Sequence, residues 1–341
     1  MLENKKILML CVQTFGYEIA IKSELERQGA EVIYYDERPS NSNFSKGLIR
    51  LYRPLYEKRI NKYYDMILQA MSTVDLDFLF VIRGEVVPNS FLESFKKLHP
   101  SCKLIFFTWD SFSNHSHALS ILPFFDNKST FDSADAEKHD MMFRPLFYLD
   151  GYCEVESVKH SSITYDVMFA GTAHSDRFQV SNKINEWCDS NNLNSYFFYY
   201  QHGKLVDVYK RIFDSAYTGV PFSKLSFKSI TPAKMLELYR QSRVVLDIQH
   251  PGQTGLTMRI FEALGAGRKV ITTNRSVENY TFFNPANIKI ISRENFSIDL
   301  EFVESEFVEL DPEIKSAMSI AGWVEEIFSP NRVGCRWLKA A

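Results

Sequence analysis

Short apolar runs alternate with segments of helical periodicity along most of the chain. In the first half, the runs that read as buried strands are KILMLCV, EVIYYD, DFLFVI and KLIFFTW, at residues 6–12, 31–36, 77–82 and 103–109. Such alternation is typical of parallel strands that are covered by helices. We therefore predict an α/β fold built on parallel sheets.

A second series of apolar runs begins near residue 165, with YDVMFAG, NSYFFYY, VVLDI, KVITT and IKIIS. The segment before it has no clear period and holds a proline and a glycine, so we place a linker near Gly151–Ser162. The length of 341 residues also fits about two domains of roughly 150 residues each. We predict an N-terminal domain over 1–155, a C-terminal domain over 160–313, and a helix over 314–330 that packs back on the N-terminal domain.

Composition narrows the class of protein. A formal net charge of -3 argues against nucleic acid as a partner, because binding to phosphate backbones normally requires a strongly basic surface. The five cysteines are widely spaced and form no CxxC pair, which indicates a reducing cytoplasmic compartment. No apolar stretch approaches the ~18 residues of a membrane-spanning helix. No HxH, HExxH or DxD triplet indicates a metal site.

The stretch HPGQTGLTMRIFEALGAGRKVITTN, at residues 250–274, joins two of the predicted strands through a loop and a helix. In open parallel sheets, ligands bind beyond the carboxyl ends of the strands, where such loops lie. Gly252 and Gly255 allow the backbone to approach a ligand closely, and Thr254 or Thr257 can cap the helix. The unpaired N–H groups at the start of a helix attract phosphate, so we predict a phosphate site here.

Two charged residues follow in the first turns of that helix. Arg259 supplies a planar, permanent cation for a diphosphate, and Glu262 can accept hydrogen bonds from the hydroxyl groups of a sugar. The alternative is an ordinary i,i+3 Arg–Glu pair on the surface of a βα unit.

The order of strand, glycine loop, TMRIFEALGAG and strand resembles the donor-binding segment of GT-B glycosyltransferases, and its arginine-bearing form is similar to CgeB-like bacterial glycosyltransferases. Many GT-B enzymes use two glutamates separated by seven residues. Glu262 matches the second of them, whereas Thr254 stands in the place of the first. That departure weakens any transfer of a retaining mechanism to this chain.

The segment YDVMFAGTAHSDRF, residues 165–178, looks like the start of a GT-B C-terminal domain. In that comparison Gly171, Thr172 and Arg177 match the glycine loop and the basic residue that face the donor phosphates. His174 and His250 lie in the two donor loops, where an imidazole can bond a phosphate, although a loop histidine is more often merely polar surface.

The resemblance implies two Rossmann-like domains with parallel sheets facing a central cleft, the N-terminal domain for an acceptor and the C-terminal one for a nucleotide-sugar. The expected activity is transfer of a sugar from a nucleotide-diphosphate donor to a saccharide or lipid-linked acceptor in cell-surface polysaccharide or lipopolysaccharide synthesis. No cofactor or metal is expected beside the donor. A nucleotide-sugar epimerase and a non-catalytic sugar-binding assembly protein remain alternatives.

Three charged residues follow strands of the N-terminal half. Asp110, after KLIFFTW, is the first candidate for the general base that deprotonates an acceptor hydroxyl, and Glu85 is a rival. Arg83 is a candidate contact for the acceptor. The alternative for Asp110 is a turn-capping role, which is common where a strand meets a loop. Because Thr254 replaces the first glutamate, we expect direct displacement with inversion.

The run KGLIRLYRPLYEKRINKYY, Lys46 to Tyr64, holds six Lys or Arg residues and one acid. One hypothesis is an interfacial helix that contacts an anionic membrane peripherally. The alternative is an amphipathic helix that packs on the first sheet and leaves its basic face in solvent.

Overall fold

The structure is a computed structural model that describes residues 2–42, 56–113, 116–156, 163–213, 217, 220–250, 254–294, 296–329 and 336–339. The chain forms two compact units. Unit 1 comprises Met1–Pro145 and Ile320–Gly334, and unit 2 comprises Leu146–Ser319 and Cys335–Ala341. Each unit is built on a six-stranded parallel sheet, which confirms the predicted α/β class.

Unit 1 has the strand order β2-β1-β3-β4-β5-β6. Its strands are β1 (Lys6–Cys11), β2 (Glu31–Tyr35), β3 (Phe78–Ile82), β4 (Lys103–Thr108), β5 (Asn127–Thr130) and β6 (Met142–Phe143). Its helices are α1 (Tyr17–Arg27), α2 (Glu57–Met71), α3 (Asn89–Leu98), α4 (His117–Ile121), α5 (Ser133–Lys138) and, from the end of the chain, α13 (Ile320–Phe328). The four apolar runs of the first half all form strands at nearly the predicted bounds.

The central strands of unit 1 are buried on both faces, which explains their uniformly apolar sequence. On one face, Leu79 and Val81 join a core that includes Ile60 and Tyr64 of α2. On the other face, Phe80 packs against α13, with its ring centroid 6.0 Å from that of Trp323.

Helix α2 contains the second half of the basic run Lys46 to Tyr64, for which a membrane contact and a packed helix were the two hypotheses. Residues 46–55 of that run lie outside the described residues, but Tyr56, Ile60 and Tyr64 are buried in the core of unit 1. In the described part of the run, these apolar side chains are therefore unavailable to lipid, and the packed amphipathic helix is the correct interpretation there. None of the described helices is long and apolar enough to cross a membrane.

Unit 2 has the strand order β12-β11-β10-β7-β8-β9. Its strands are β7 (Tyr165–Thr172), β8 (Ser195–Tyr200), β9 (Leu225–Ser226), β10 (Ser242–Asp247), β11 (Lys269–Thr272) and β12 (Ile288–Ile290). Its helices are α6 (Asp150–Glu156), α7 (Arg177–Ser190), α8 (Lys204–Phe213), α9 (Pro232–Arg240), α10 (Met258–Gly265), α11 (Leu300–Glu304) and α12 (Pro312–Met318).

Part of the segment predicted as a linker is helical. Asp150–Glu156 form α6 within unit 2, whereas residues 157–162 lie outside the described residues. Tyr152 and Val155 are buried, at the i,i+3 spacing of one helix face, and Gly151 lies against Leu236 of α9. The apolar stripe is too short to stand out beside a proline and a glycine, which is why the sequence analysis missed this helix.

A buried ion pair links α13 to the end of β6. The Nε atom of Arg144 lies 2.6 Å from Oε2 of Glu326, and neither side chain is more than 6% exposed. Arg144 also donates from Nη1 to the carbonyl oxygen of Pro145 at 2.9 Å. The terminal helix is thus held both by Trp323 and by a desolvated charge pair.

Removal of one partner of this ion pair should destabilise the fold far more than removal of both partners. We expect Arg144→Met to lower the free energy of unfolding by about 3–5 kcal/mol, because Glu326 keeps a buried charge without its cation. Arg144→Met with Glu326→Met should recover much of the loss. Urea unfolding of the two variants tests this, and equal losses would show that packing, and not charge, dominates.

Candidate functional site

The sheet of unit 2 has a topological switch point between β7 and β10. These strands are parallel neighbours, and the chain leaves β7 towards β8 but leaves β10 towards β11. Their following helices, α7 and α10, therefore begin at the same carboxyl edge. Ligands of open α/β sheets bind at such switch points, and the amino ends of helices favour anions.

Arg259 is fixed at this edge by two hydrogen bonds. Its Nη1 atom donates to Oδ1 of Asp247 at 3.1 Å, and Nη2 donates to the carbonyl oxygen of Ala170 at 2.6 Å. The side chain is only 17% exposed. The partly buried side chain of Arg259 thus connects the end of β7 to the end of β10. The alternative of an exposed Arg–Glu pair is wrong.

Asp247, the last residue of β10, organises the site and was missed by the sequence analysis. It is fully buried, and it also accepts hydrogen bonds from the hydroxyl groups of Thr257 at 2.7 Å and Thr272 at 3.1 Å. An acid at the end of an otherwise apolar strand was the available signal. Burial by itself lowers the pKa of Arg259, but Asp247, then Tyr239 and Glu262, raise it above its ordinary value.

Arg177 lies beside Arg259 at the start of α7. Its Nε atom donates to the carbonyl oxygen of Ile248 at 2.6 Å, and Nη1 reaches the carbonyl oxygen of Thr172 at 3.4 Å. Burial, and then the charge of Arg259, lower the pKa of Arg177 to about 9, so it remains cationic at neutral pH. A Cβ atom on Gly171 would lie 3.1 Å from Cζ of Phe169 and 3.2 Å from Nη2 of Arg259, so a larger residue here would push on the Arg259 side chain.

Two further cations were not foreseen from the sequence. Lys210 of α8 donates to the carbonyl oxygen of Ala173 at 3.1 Å. Arg293, after β12, donates to Asp176 at 2.5 Å and to the carbonyl oxygen of Gln249 at 2.7 Å. Four cationic side chains therefore lie at this edge of the sheet, with the carboxylates of Asp176, Asp247 and Glu262, and this excess of positive charge suits a polyanion.

His174 and His250 face each other in the two loops, with ring centroids 5.7 Å apart. The Nδ1 atom of His174 lies 2.9 Å from Oγ of Ser175. Burial, and then Arg177 and Lys210, lower the pKa of His174 to about 2. His174 is therefore a neutral imidazole at physiological pH and can serve as a hydrogen-bond donor without adding charge.

The loop before α10 is held from below by Asn274, whose Nδ2 atom donates to the carbonyl oxygens of Thr254 at 3.1 Å and Gly255 at 3.3 Å. Thr254 is exposed, and Gly252 lies outside the described residues. Thr257 occupies the N-cap position, but its side chain does not cap the helix. Its hydroxyl donates to Asp247 instead, which corrects the predicted capping role.

Glu262 is 7% exposed, and its charge helps to raise the pKa of Arg259. It also lies beside Tyr152 and Tyr239. It accepts a hydrogen bond from the hydroxyl of Tyr239 at 3.2 Å. Burial, and then Glu262, raise the pKa of Tyr152. A sugar hydroxyl can reach this carboxylate only by sharing it with the tyrosines, so the predicted role of Glu262 stays a prediction.

Unit 1 also collects its candidate residues at a switch point, between β1 and β3. Arg83 directly follows β3 and has a φ of 91°, a left-handed conformation that is strained for a residue with a side chain. Its Nε atom lies 2.8 Å from Oδ2 of Asp110, and its Nη1 atom lies 3.6 Å from Oε2 of Glu85. The structure thus brings the three candidates together, in one ionic cluster.

Glu85 is poorly placed for the role of a rival base. Its side chain is 4% exposed and forms a close buried ion pair with Arg38, a residue that the sequence analysis did not consider. Beside it, Glu37 accepts backbone hydrogen bonds from Gly84 and Val86, and burial raises its pKa to about 8. Asp110, with a side chain that is 31% exposed, is the most accessible carboxylate of this ionic cluster.

Within the part of the chain that the structure describes, no group of three or more His, Cys, Asp or Glu side chains has an arrangement that could hold a metal ion.

The low pKa of His174 predicts a specific pH dependence of stability. The unfolded chain gains a proton at this residue as pH falls through about 6.5, whereas the folded chain does not until about pH 2. This contribution to stability is therefore complete above pH 6.5 and is lost as pH falls below it. When the pH is lowered from 7.5 to about 5, we expect the free energy of unfolding to fall by about 1–2 kcal/mol less in His174→Asn than in the parent chain. Urea unfolding at both pH values measures this difference. Equal losses would contradict the depressed pKa.

Residues 202–322, less than half of the chain, match the family model described as "Glycosyl transferase-like". No curated protein matches the sequence.

Several solved structures have a similar fold at low sequence identity. A trehalose-phosphate synthase (UDP-forming) from Burkholderia xenovorans, in complex with glucose-6-phosphate, has a TM-score of 0.58 and 10% identity, covering 95% of this chain and 99% of its own. An α-glucosyltransferase in complex with UDP and a 13-mer DNA has a TM-score of 0.51 and 14% identity, covering 96% and 90%. A glycosyltransferase from Rickettsia africae ESF-5 has a TM-score of 0.51 and 12% identity, covering 97% and 89%. The two six-stranded sheets of this chain therefore constitute the GT-B fold, and its unit 2 contains most of the matched glycosyl transferase-like segment.

Proposed function

We propose that the protein is a glycosyltransferase that binds a nucleotide-diphosphate sugar in unit 2 and transfers the sugar to a saccharide or lipid-linked acceptor. The observation that carries this proposal is the pair Arg177 and Arg259, fixed to backbone carbonyls on either side of the switch point between β7 and β10. Two rigid guanidinium groups, close to the amino ends of two helices, match a diphosphate.

The chemistry of transfer explains why this charge is useful. As the bond between the sugar and the diphosphate breaks, negative charge develops on the leaving diphosphate. Preorganised cations stabilise that charge without needing to move, which is a large part of catalysis in such reactions. With Lys210 and Arg293 adding to the two arginines, the protein supplies the positive charge itself, and we propose a metal-independent reaction.

The structural neighbours support the class of donor. The α-glucosyltransferase was solved in complex with UDP, and the trehalose-phosphate synthase is UDP-forming. We therefore propose a uridine nucleotide as the first donor to examine. The CgeB-like resemblance supports a setting in cell-surface polysaccharide or lipopolysaccharide synthesis, on the cytoplasmic side of the membrane.

In unit 1, we propose Asp110 as the general base and Arg83 as the residue that positions it. The ion pair at 2.8 Å orients the carboxylate, and the close contacts of Glu85 with Arg38 leave Asp110 the better candidate to reach an acceptor hydroxyl. Thr254 in the place of the first glutamate favours direct displacement with inversion.

The donor site is tested with Arg259→Gln. The guanidinium contacts phosphate and not the nucleoside, so affinity for UDP should fall about 10- to 100-fold, the effect of losing a charge-assisted hydrogen bond, while uridine affinity stays unchanged. Isothermal titration calorimetry of both ligands provides the measurement.

Arg243→Gln is the matched control for Arg259→Gln. Arg243 lies in the same strand as Asp247 but near its other end, where it pairs with Asp166 at 3.4 Å, so UDP binding should not change. Equal losses for UDP and uridine in Arg259→Gln, or an equal loss in Arg243→Gln, would reject the assignment.

The chemical step is tested with Asp110→Asn, using UDP-sugars and a panel of acceptors. Loss of a general base typically slows turnover by about 10²- to 10⁴-fold with little change in donor affinity. NMR of the product should show an inverted anomeric centre. Unchanged turnover in Asp110→Asn would show that Asp110 only caps a turn. A product that retains the anomeric configuration of the donor would exclude single displacement. Product formed from the donor alone, without an acceptor, would indicate an epimerase.

A further inference from the structure

Helix α8 of unit 2 exposes apolar side chains and buries polar ones, the opposite of an ordinary surface helix. Surface helices normally bury their apolar stripe and expose their charges. In α8, the exposed side chains include Val208 at 51%, Tyr209 at 61%, Ile212 at 67% and Phe213 at 70%. Their spacing at i, i+1, i+4 and i+5 places them on one face of the helix.

The face of α8 that lies against the unit is held by polar contacts. Asp207 is fully buried, accepts a close hydrogen bond from the hydroxyl of Tyr217, and accepts another from Nε of Arg211 at 2.8 Å. Lys210 donates to the carbonyl oxygen of Ala173, and Gln201 donates to Tyr217 at 2.8 Å. Because these contacts fix the rotation of the helix, it cannot turn its apolar residues inwards without losing buried hydrogen bonds.

The segment after α8 exposes a further large apolar side chain. Arg211 donates from Nη2 to the carbonyl oxygen of Val220 at 2.7 Å, which ties α8 to the residues that follow. Two residues further on, Phe222 is 52% exposed, and its ring lies 5.4 Å from that of Phe227. We call Val208, Tyr209, Ile212, Phe213 and Phe222 the α8 patch. Several large apolar side chains exposed in one segment are typical of a surface that meets a partner or a membrane.

The charge of the segment that contains the α8 patch favours an anionic membrane as the surface that it meets. Residues 202–230 contain five Lys or Arg residues and two Asp residues, in a chain with a net charge of -3. One of the two, Asp207, is buried and engaged by Arg211. Lys204, Lys224 and Lys228 of this segment are exposed, and Lys224 donates to the neutral amide oxygen of Asn182 at 3.0 Å. Aromatic and aliphatic side chains flanked by lysines are the composition of interfacial membrane helices.

A second copy of the chain fits the α8 patch less well than a membrane does. A two-fold contact would place the patch against itself and bring the lysines of both copies together, which like-charge repulsion opposes. An anionic leaflet instead offers apolar chains to the patch and phosphate groups to the lysines.

We propose that the α8 patch docks unit 2 peripherally on an anionic membrane surface, with Ile212 and Phe213 entering the headgroup region and Lys204, Lys224 and Lys228 contacting lipid phosphates. The proposal does not depend on the proposed sugar transfer, since it concerns a surface without substrate contacts. The α8 patch lies in a different segment, and in the other unit, from the basic run that the sequence analysis considered for membrane contact.

The test is sedimentation of the full chain, without substrates, with vesicles of phosphatidylcholine alone or of phosphatidylcholine mixed with phosphatidylglycerol. We expect binding only to the mixed vesicles and a loss of binding at high salt. The double variant Ile212→Ser, Phe213→Ser should bind at least about tenfold more weakly, because two large apolar side chains no longer enter the interface. Lys224→Glu with Lys228→Glu should also weaken binding.

The matched control is Phe15→Ser with Ile19→Ser in unit 1. These residues are of the same types and are 72% and 52% exposed, so a general effect of surface hydrophobicity would appear in both double variants. Failure of the parent chain to sediment with the mixed vesicles overturns the proposal. So does equal weakening by the control pair, or a lipid-independent dimer that Ile212→Ser, Phe213→Ser dissociates, which would assign the patch to a second copy.

Discussion

The carboxylate of Asp247 is the contact on which the candidate donor site depends. It is fully buried at the end of β10, and it binds Arg259, Thr257 and Thr272 at once. A buried guanidinium without an anionic partner would be expensive to desolvate. Asp247 compensates the buried charge of Arg259. Through Thr272 and Thr257, it also connects β10 to β11 and to the start of α10, next to the switch point of the sheet.

The surroundings of this pair explain why an anion is still attracted to the site. Asp247 compensates Arg259, and Asp176 compensates Arg293 at 2.5 Å. Arg177 and Lys210 are held by backbone carbonyl oxygens, which carry only partial charges. The site therefore keeps an excess of positive charge while every cation is oriented. His174 stays neutral there because burial, and then the charges of Arg177 and Lys210, lower its pKa.

Unit 1 repeats the same architecture with a different balance of charge. Its switch point holds an alternating chain of Arg38, Glu85, Arg83 and Asp110, in which each arginine faces a carboxylate. A cluster that is internally compensated has no reason to attract a diphosphate, and its strained Arg83 backbone indicates a functional constraint. The unit 1 cluster is thus internally compensated, whereas the unit 2 site keeps an excess of positive charge.

The sequence by itself determined the α/β class, the positions of nine of the twelve described strands and the helix starts at which Arg177 and Arg259 lie, because strand burial and helix starts leave local patterns in the chain. It did not determine that Asp247, Lys210, Arg293 and Asn274 complete the site, since these residues come from separate elements that meet only when the sheet forms. Nor did it reveal that Glu85 is buried against Arg38, or that α8 turns its apolar face outwards. Those features depend on which face of each element meets a neighbour, and only the tertiary structure decides that.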